Sequence, residues 1–270
     1  MGVRMKLAIL ALTLALLFQP LQAQSTQIPR LIPAVINVYP HDANAFTQGL
    51  LWHNGYLYES TGLYGESTLR RVDIASGEPL ESLSLDDAYF AEGLELVDGK
   101  LIQLTWQAGI AFVYDFASFE RIDAIEYEGE GWGLCTDGRY LFMSDGSPFL
   151  SIRDRQTFDL IFRGAVTWDS QLLPAQLLNE LECVDDAVYA NAWNTDYIFR
   201  IDKFTGVITA LIDASALLTE AEKAALGAGS LPRMMSSPRT TSSIPRNSQL
   251  IMKSNSGRIS GPDSKRAAPE

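Results

Sequence analysis

Short runs in which apolar and polar residues alternate recur through the middle of the chain, at Leu69 to Val72, Ala111 to Tyr114, Leu150 to Arg153 and Tyr197 to Ile201. A two-residue period sends successive side chains to opposite faces, so each run is predicted to be a half-buried β-strand. Each is followed by the pattern Asp-x-x-Ser/Thr-Gly/Phe, at Asp73 to Gly77, Asp115 to Phe119, Asp154 to Phe158 and Asp202 to Gly206. Asp bonds the backbone two residues on, and Ser or Thr does so more weakly, which makes each copy a hairpin turn.

The four copies are 42, 39 and 48 residues apart. Upstream of each lies a second turn, at Asn54-Gly55, Asp98-Gly99, Asp137-Gly138 and Asp185-Asp186, followed by a short apolar strand. A further strand precedes each turn, which brings the count to four per repeat. Four strands every ~40 to 45 residues is the blade of a β-propeller, and a β-sandwich would lack such a register-keeping repeat.

Pro33 to Tyr39 resembles the last strand of a blade without its first three, as where a propeller closes its ring. The predicted fold is therefore all-β, a five-bladed propeller whose fifth blade is incomplete, with residues 33–229 as the propeller domain. The capping box Thr219 to Glu222 opens a predicted short helix through Leu226. Residues 231–270 hold nine Ser and five Pro but no Phe, Tyr or Trp. A segment so poor in apolar surface cannot offset its ordering entropy, and it reads as a disordered basic tail where three strands are expected. A shifted reading frame would account for the change of composition.

At the other end, Arg4 and Lys6 precede the apolar run Leu7 to Phe18, and Leu21-Gln22-Ala23 supplies small-residue cleavage chemistry. Residues 1–23 are predicted to be a signal peptide; the apolar run falls short of the ~20 residues of a spanning helix. The protein is expected to be exported, periplasmic or secreted, and free of the membrane after cleavage.

Charge narrows the partners. The net charge of −12 conceals 14 Lys and Arg against 31 Asp and Glu in residues 1–230, and 7 against 2 in residues 231–270. So acidic a body argues against nucleic acid. Cys135 and Cys183, the two cysteines, occupy matching places in neighbouring repeats and read as structural or buried; an oxidising compartment would permit one disulfide.

Catalytic sets of familiar type are scarce. His41 and His53 have no metal-ligand spacing and read as a turn and a surface position. There is no Gly-x-Ser-x-Gly elbow or phosphate loop, and Gly131-Trp132-Gly133 lacks the strand-to-helix context of a dinucleotide fingerprint. The first strands of the repeats are more telling, reading Phe46 to Leu50, Phe90 to Leu94, Gly129 to Leu134 and Leu178 to Glu182. In a propeller these strands converge on the axis, where they place amides, carboxylates and indoles around one opening. Glu92, Glu130, Glu180 and Glu182 are thus candidates for acid–base work, a carboxyl in an aromatic enclosure having its pKa raised toward the working pH.

The runs Pro40 to Leu50, Tyr58 to Gly65, Glu130 to Leu134 and Asn179 to Glu182 resemble the glutamine cyclotransferases of plants and bacteria. The resemblance extends from about residue 33 to residue 229. It implies a five-bladed propeller that closes N-terminal glutamine of peptides or proteins to pyroglutamate, releasing ammonia, as a monomer without metal or cofactor. It makes Glu92 the general acid/base and Phe46, Gln48, Trp106, Trp132, Asn179 and Trp193 the substrate pocket. The fifth blade of that family brings an Asn-Gly-Ile-Ala run and a later pocket lysine followed by Trp; neither occurs here, and Lys253 and Lys265 lack that context. Two other readings stand beside the enzyme: a periplasmic propeller that binds a peptide end or small polar ligand without turnover, and an inactive truncated product.

Overall fold

The computed structural model describes residues 28–174 and 178–218. The predicted signal peptide, the tail at 231–270, the short helix and the domain boundary at residue 229 lie outside these residues. Within them every regular element is a β-strand.

Strand β1 is Arg30–Leu31. The first blade follows as β2 (Thr47–His53), β3 (Tyr56–Thr61), β4 (Thr68–Asp73) and β5 (Pro79–Ser84). The second is β6 (Ala91–Val97), β7 (Lys100–Thr105), β8 (Ile110–Asp115) and β9 (Arg121–Glu126), and the third is β10 (Leu134–Thr136), β11 (Tyr140–Met143), β12 (Phe149–Asp154) and β13 (Leu160–Ala165). A small hairpin, β14 (Thr167–Trp168) and β15 (Gln171–Leu172), precedes the fourth blade, β16 (Leu178–Val184), β17 (Ala187–Ala192), β18 (Tyr197–Asp202) and β19 (Ile208–Asp213). Strands pair in chain order within each blade, so the described residues form a propeller-like array of four blades. The extra hairpin is why the last repeat interval is the longest.

The turns behave as their chemistry dictates. Asp73, Asp115, Asp154 and Asp202 each accept a backbone N–H from the hydroxyl residue three positions on, at 2.8 to 2.9 Å. Hydrogen bonds from these residues, led by the hydroxyl at Asp73 and Asp202 and by the backbone N–H at Asp115 and Asp154, lower all four carboxyls from the usual aspartate value. The fifth position of the pattern is left-handed in every copy, with φ of 74° at Gly77, 60° at Phe119, 65° at Phe158 and 71° at Gly206. Where Phe takes the place of Gly, burial of its ring offsets the backbone cost: Phe119 and Phe158 both sit in the core.

That core is a set of layers between blades. Tyr58 and Leu69 of the first blade meet Leu94, Leu101, Phe112 and Tyr114 of the second. Val97, Ile102 and Leu104 meet Leu134, Leu141 and Met143 of the third, and Phe142 and Leu150 meet Leu181, Val188, Phe199 and Ile201 of the fourth. Close approach of the inner strands requires glycine: a Cβ at Gly49 would lie 2.6 Å from the Leu94 backbone nitrogen, and one at Gly93 would lie 2.7 Å from that of Leu134. Cys135 on β10 and Cys183 on β16 form a disulfide between the third and fourth blades, with Cα atoms 5.4 Å apart.

Two predicted strands differ. Pro33 to Tyr39 is not a strand; β1, just before it, runs parallel to β19 on the outer edge of the fourth blade, and Arg30 pairs with Asp213 there. Ile36 and Val38 are 84% and 85% exposed, since the described residues offer this run no sheet edge. The inner strand of the third blade begins at Leu134 and not at Gly129. A positive φ of 87° at Gly129, and contact between Gly131 and the Tyr127 hydroxyl too close for any Cβ, fold this stretch into a loop.

Candidate active site

In three of the four inner strands the ladder is interrupted at the same place. The register slips between Thr47 and Gly49 in β2, between Ala91 and Leu94 in β6, and between Leu178 and Leu181 in β16. An extra residue in a ladder bends the strand and re-aims a side chain. The bulged residues are Gln48, Glu92 with Gly93, and Asn179 with Glu180; of the other carboxyls singled out by sequence, Glu182 stays in the ladder opposite Tyr189 and Glu130 lies in the loop between β9 and β10.

Glu92 is 5% exposed. Gln48 Nε2 donates to its Oε1 at 3.3 Å. Burial, and next to it the charge of Glu130, push the Glu92 carboxyl well above the usual carboxylate range. Glu180 is likewise raised, by burial first and then by Glu92, Glu182 and Glu95; its Oε2 is buried without a hydrogen-bond partner.

Aromatic side chains continue the enclosure. Phe90, two residues before Glu92, meets Phe46, Tyr64 and Trp106 edge-on, with centroids 6.2, 5.5 and 5.5 Å away. Space for its ring exists because residue 62 is glycine. Across Glu130, Trp132 meets Trp193 at 5.8 Å. Trp106 and Trp132 both donate their indole N–H to Glu130 Oε2, at 2.8 and 2.9 Å. Phe46, Phe90, Trp106, Glu130, Trp132 and Trp193 thereby form one continuous chain of contacts. Asn179 is tied to it through the backbone: Gly133 N–H donates to Ser144 Oγ, whose hydroxyl donates to the Asn179 carbonyl, both at 2.7 Å.

Other polar residues here escaped sequence reasoning. Glu59 is buried and accepts from Thr47 Oγ1 at 2.5 Å and pairs with His41 Nε2 at 2.8 Å, which raises the His41 pKa. Arg70 lies 3.9 Å from Glu59 and bonds Asp42 at 2.8 Å. His41 is thus no free surface group but braces the approach to Gln48, and His53 is half-buried edge-on to Phe116. Glu95, one strand period beyond Gly93, is pushed up to about 8 by burial, although Leu96 and Thr136 donate backbone N–H to it. Its inward direction follows from β6 alternation, a signal that was present in the sequence.

The fold and this arrangement have relatives. The glutamine cyclotransferase family model matches residues 8–228. A glutaminyl-peptide cyclotransferase of Arabidopsis thaliana is 39% identical over 185 residues, which cover 68% of this chain and 57% of that protein, so the chain spans little more than half of its curated relative. The crystal structure of Myxococcus xanthus glutaminyl cyclase superposes with a TM-score of 0.67 at 36% identity, covering 76% of this chain and 84% of the other. A match over most of the chain, joined to a shared fold and this degree of identity, establishes that the chain belongs to the glutamine cyclotransferase family.

Proposed function

We propose that this protein is a glutaminyl-peptide cyclotransferase, and that Glu92 carries its chemistry. The supporting observation is a buried carboxyl at a strand bulge, held by Gln48 within an aromatic enclosure. In the reaction the α-amine of an N-terminal glutamine attacks its own γ-amide carbon, forming the ring C–N bond. The amine must lose a proton, and the departing nitrogen must gain one to leave as ammonia. A carboxyl with its pKa lifted toward neutrality serves both transfers, accepting the proton from the attacking nitrogen and returning it to the leaving one. Gln48 fixes one oxygen of Glu92, leaving the other for the substrate. Phe46, Trp106, Trp132 and Trp193 exclude water and favour the folded, near-attack conformer, while Asn179 supplies an amide for the substrate's polar ends.

The chemistry is written without a metal; His41 is engaged by Glu59, and the two cysteines by each other. The same reading includes a fifth blade, supported by the exposed apolar run that precedes β2, and export to an oxidising compartment, supported by the disulfide. It takes the protein as a monomer whose partners are peptides or proteins with N-terminal glutamine.

The test is incubation of a glutaminyl peptide with the purified chain, following ammonia release and conversion to the pyroglutamyl product, with an otherwise identical asparaginyl peptide as control. Product from the glutaminyl peptide alone supports the reading. Saturable binding of that peptide without product would instead support a binding propeller.

A further inference from the structure

We propose that Glu130 is a positioning residue which ties the indoles of Trp106 and Trp132 into one rigid wall of the pocket. The inference rests on the cyclotransferase reading for its kinetic part, but not for its geometry. Trp106 follows β7 in the second blade and Trp132 precedes β10 in the third; Gly131 N–H donates to the Trp106 carbonyl at 3.0 Å and Gly93 N–H to the Trp132 carbonyl at 2.7 Å, so the backbones are joined, and what remains to be fixed is the orientation of the two rings. Glu130 lies in the loop joining those blades and accepts both indole N–H groups on a single oxygen, at 2.8 and 2.9 Å, while Gln107 Nε2 donates to the other at 3.1 Å. Neutral donors to a carboxylate make charge-assisted bonds, roughly twice as strong as neutral ones.

From this one anchor the wall extends both ways. Trp106 passes the constraint to Phe90, two residues from Glu92, and Trp132 passes it to Trp193. A pocket that must fold a glutamine side chain back on its own amine depends on wall spacing, because misplacement by about 1 Å costs on the order of 10²-fold in rate. Glu130 also acts on Glu92 through its charge. Glu180 and Tyr127 also feel the charge of Glu92, and of these three groups Glu130 is the one that holds the walls. One side chain therefore links the shape of the pocket to the protonation of its buried carboxyl.

Two variants of the chain separate these effects from a general loss of fold. Glu130→Ala removes the acceptor; Glu130→Gln keeps an acceptor oxygen but removes the charge. In 15N-tryptophan-labelled protein, the indole N–H resonances of Trp106 and Trp132 are expected to shift in both variants, while those of the other tryptophans move less. With a glutaminyl peptide, Glu130→Ala is expected to lower kcat/KM by about 10-fold or more, since misplaced walls cost rate. Glu130→Gln is expected to hold kcat/KM at its optimum within a few-fold and to move the Glu92-dependent limb of the pH–rate profile to lower pH. Indole resonances unmoved in Glu130→Ala, or an unchanged kcat/KM there, would overturn the proposal. If the wild-type chain turns over no glutaminyl peptide, the functional reading fails, and the indole resonances still decide whether Glu130 ties the wall.

Discussion

Gln48 and Glu92 come from different blades, 44 residues apart, yet the amide of one donates to the carboxyl of the other at 3.3 Å. Both stand at bulges, and only there do their side chains leave the ladder to meet. Glu92→Gln preserves the shape and the burial but cannot exchange a proton, so kcat for a glutaminyl peptide is expected to fall by about 10² or more with little change in thermal midpoint. Gln48→Ala frees the Glu92 carboxyl, and a smaller loss is expected. Steady-state kinetics beside a melting curve check both, and a fully active Glu92→Gln removes Glu92 from its role.

The four-strand repeat and its turns were legible because they rest on local chemistry: Asp73, Asp115, Asp154 and Asp202 announce their hairpins by side-chain bonds within three residues. Gln48, Glu92 and Asn179 were singled out through family resemblance, and the structure places each of them at a bulge of an inner strand. The Glu59, His41 and Arg70 cluster was hidden: Glu59 and Arg70 are cross-strand partners in β3 and β4, but His41 reaches them from a loop that no periodicity connects to that hairpin. Pro33 to Tyr39 is not a strand among the described residues for a related reason. Its alternation is that of a strand, but a strand exists only where an edge accepts it.

Glu95 predicts a pH dependence of stability. Its carboxyl is raised from 4.5 to about 8 by burial, so the folded state binds its proton more tightly than the unfolded chain does. The resulting stabilisation is complete below the unfolded value and is lost as pH rises from about 4.5 through about 8. Glu95→Gln, neutral throughout, is expected to lose less stability between those limits than the wild type. Urea unfolding at several pH values measures this, and parallel curves for the two proteins would assign the dependence to other groups.

The Cys135–Cys183 bond closes a loop of 48 residues between the third and fourth blades. Chain-entropy arguments give such a loop about 4 kcal/mol of stabilisation by restricting the unfolded chain. Reduction, or replacement of both cysteines by serine, is expected to lower the thermal midpoint markedly. Because Cys135 follows the Gly133 and Leu134 backbone that abuts β16, a rise in KM is expected as well. Equal melting of the reduced and oxidised proteins would count against the bond.

The exposed run before β2 tests the fifth blade. Val35, Ile36 and Val38 are all exposed, and burying such side chains is worth about 1.5–3 kcal/mol each. If this run is the closing strand of a blade, supplying three antiparallel partners should bury it, cover the neighbouring blade faces and stiffen the ring that carries Phe46 and Trp193. A chimera in which the segment of the Myxococcus xanthus protein that follows its counterpart of residue 218 is fused after that residue is therefore expected to melt higher and bind less of an apolar dye. It should also convert glutaminyl peptides faster than the chain alone. Replacing Ile36 and Val38 by lysine should abolish the gain in the chimera, where those positions are inward, while scarcely altering the chain alone, where they face water. A chimera that melts no higher, or a gain that survives the lysines, would show that this run closes no blade.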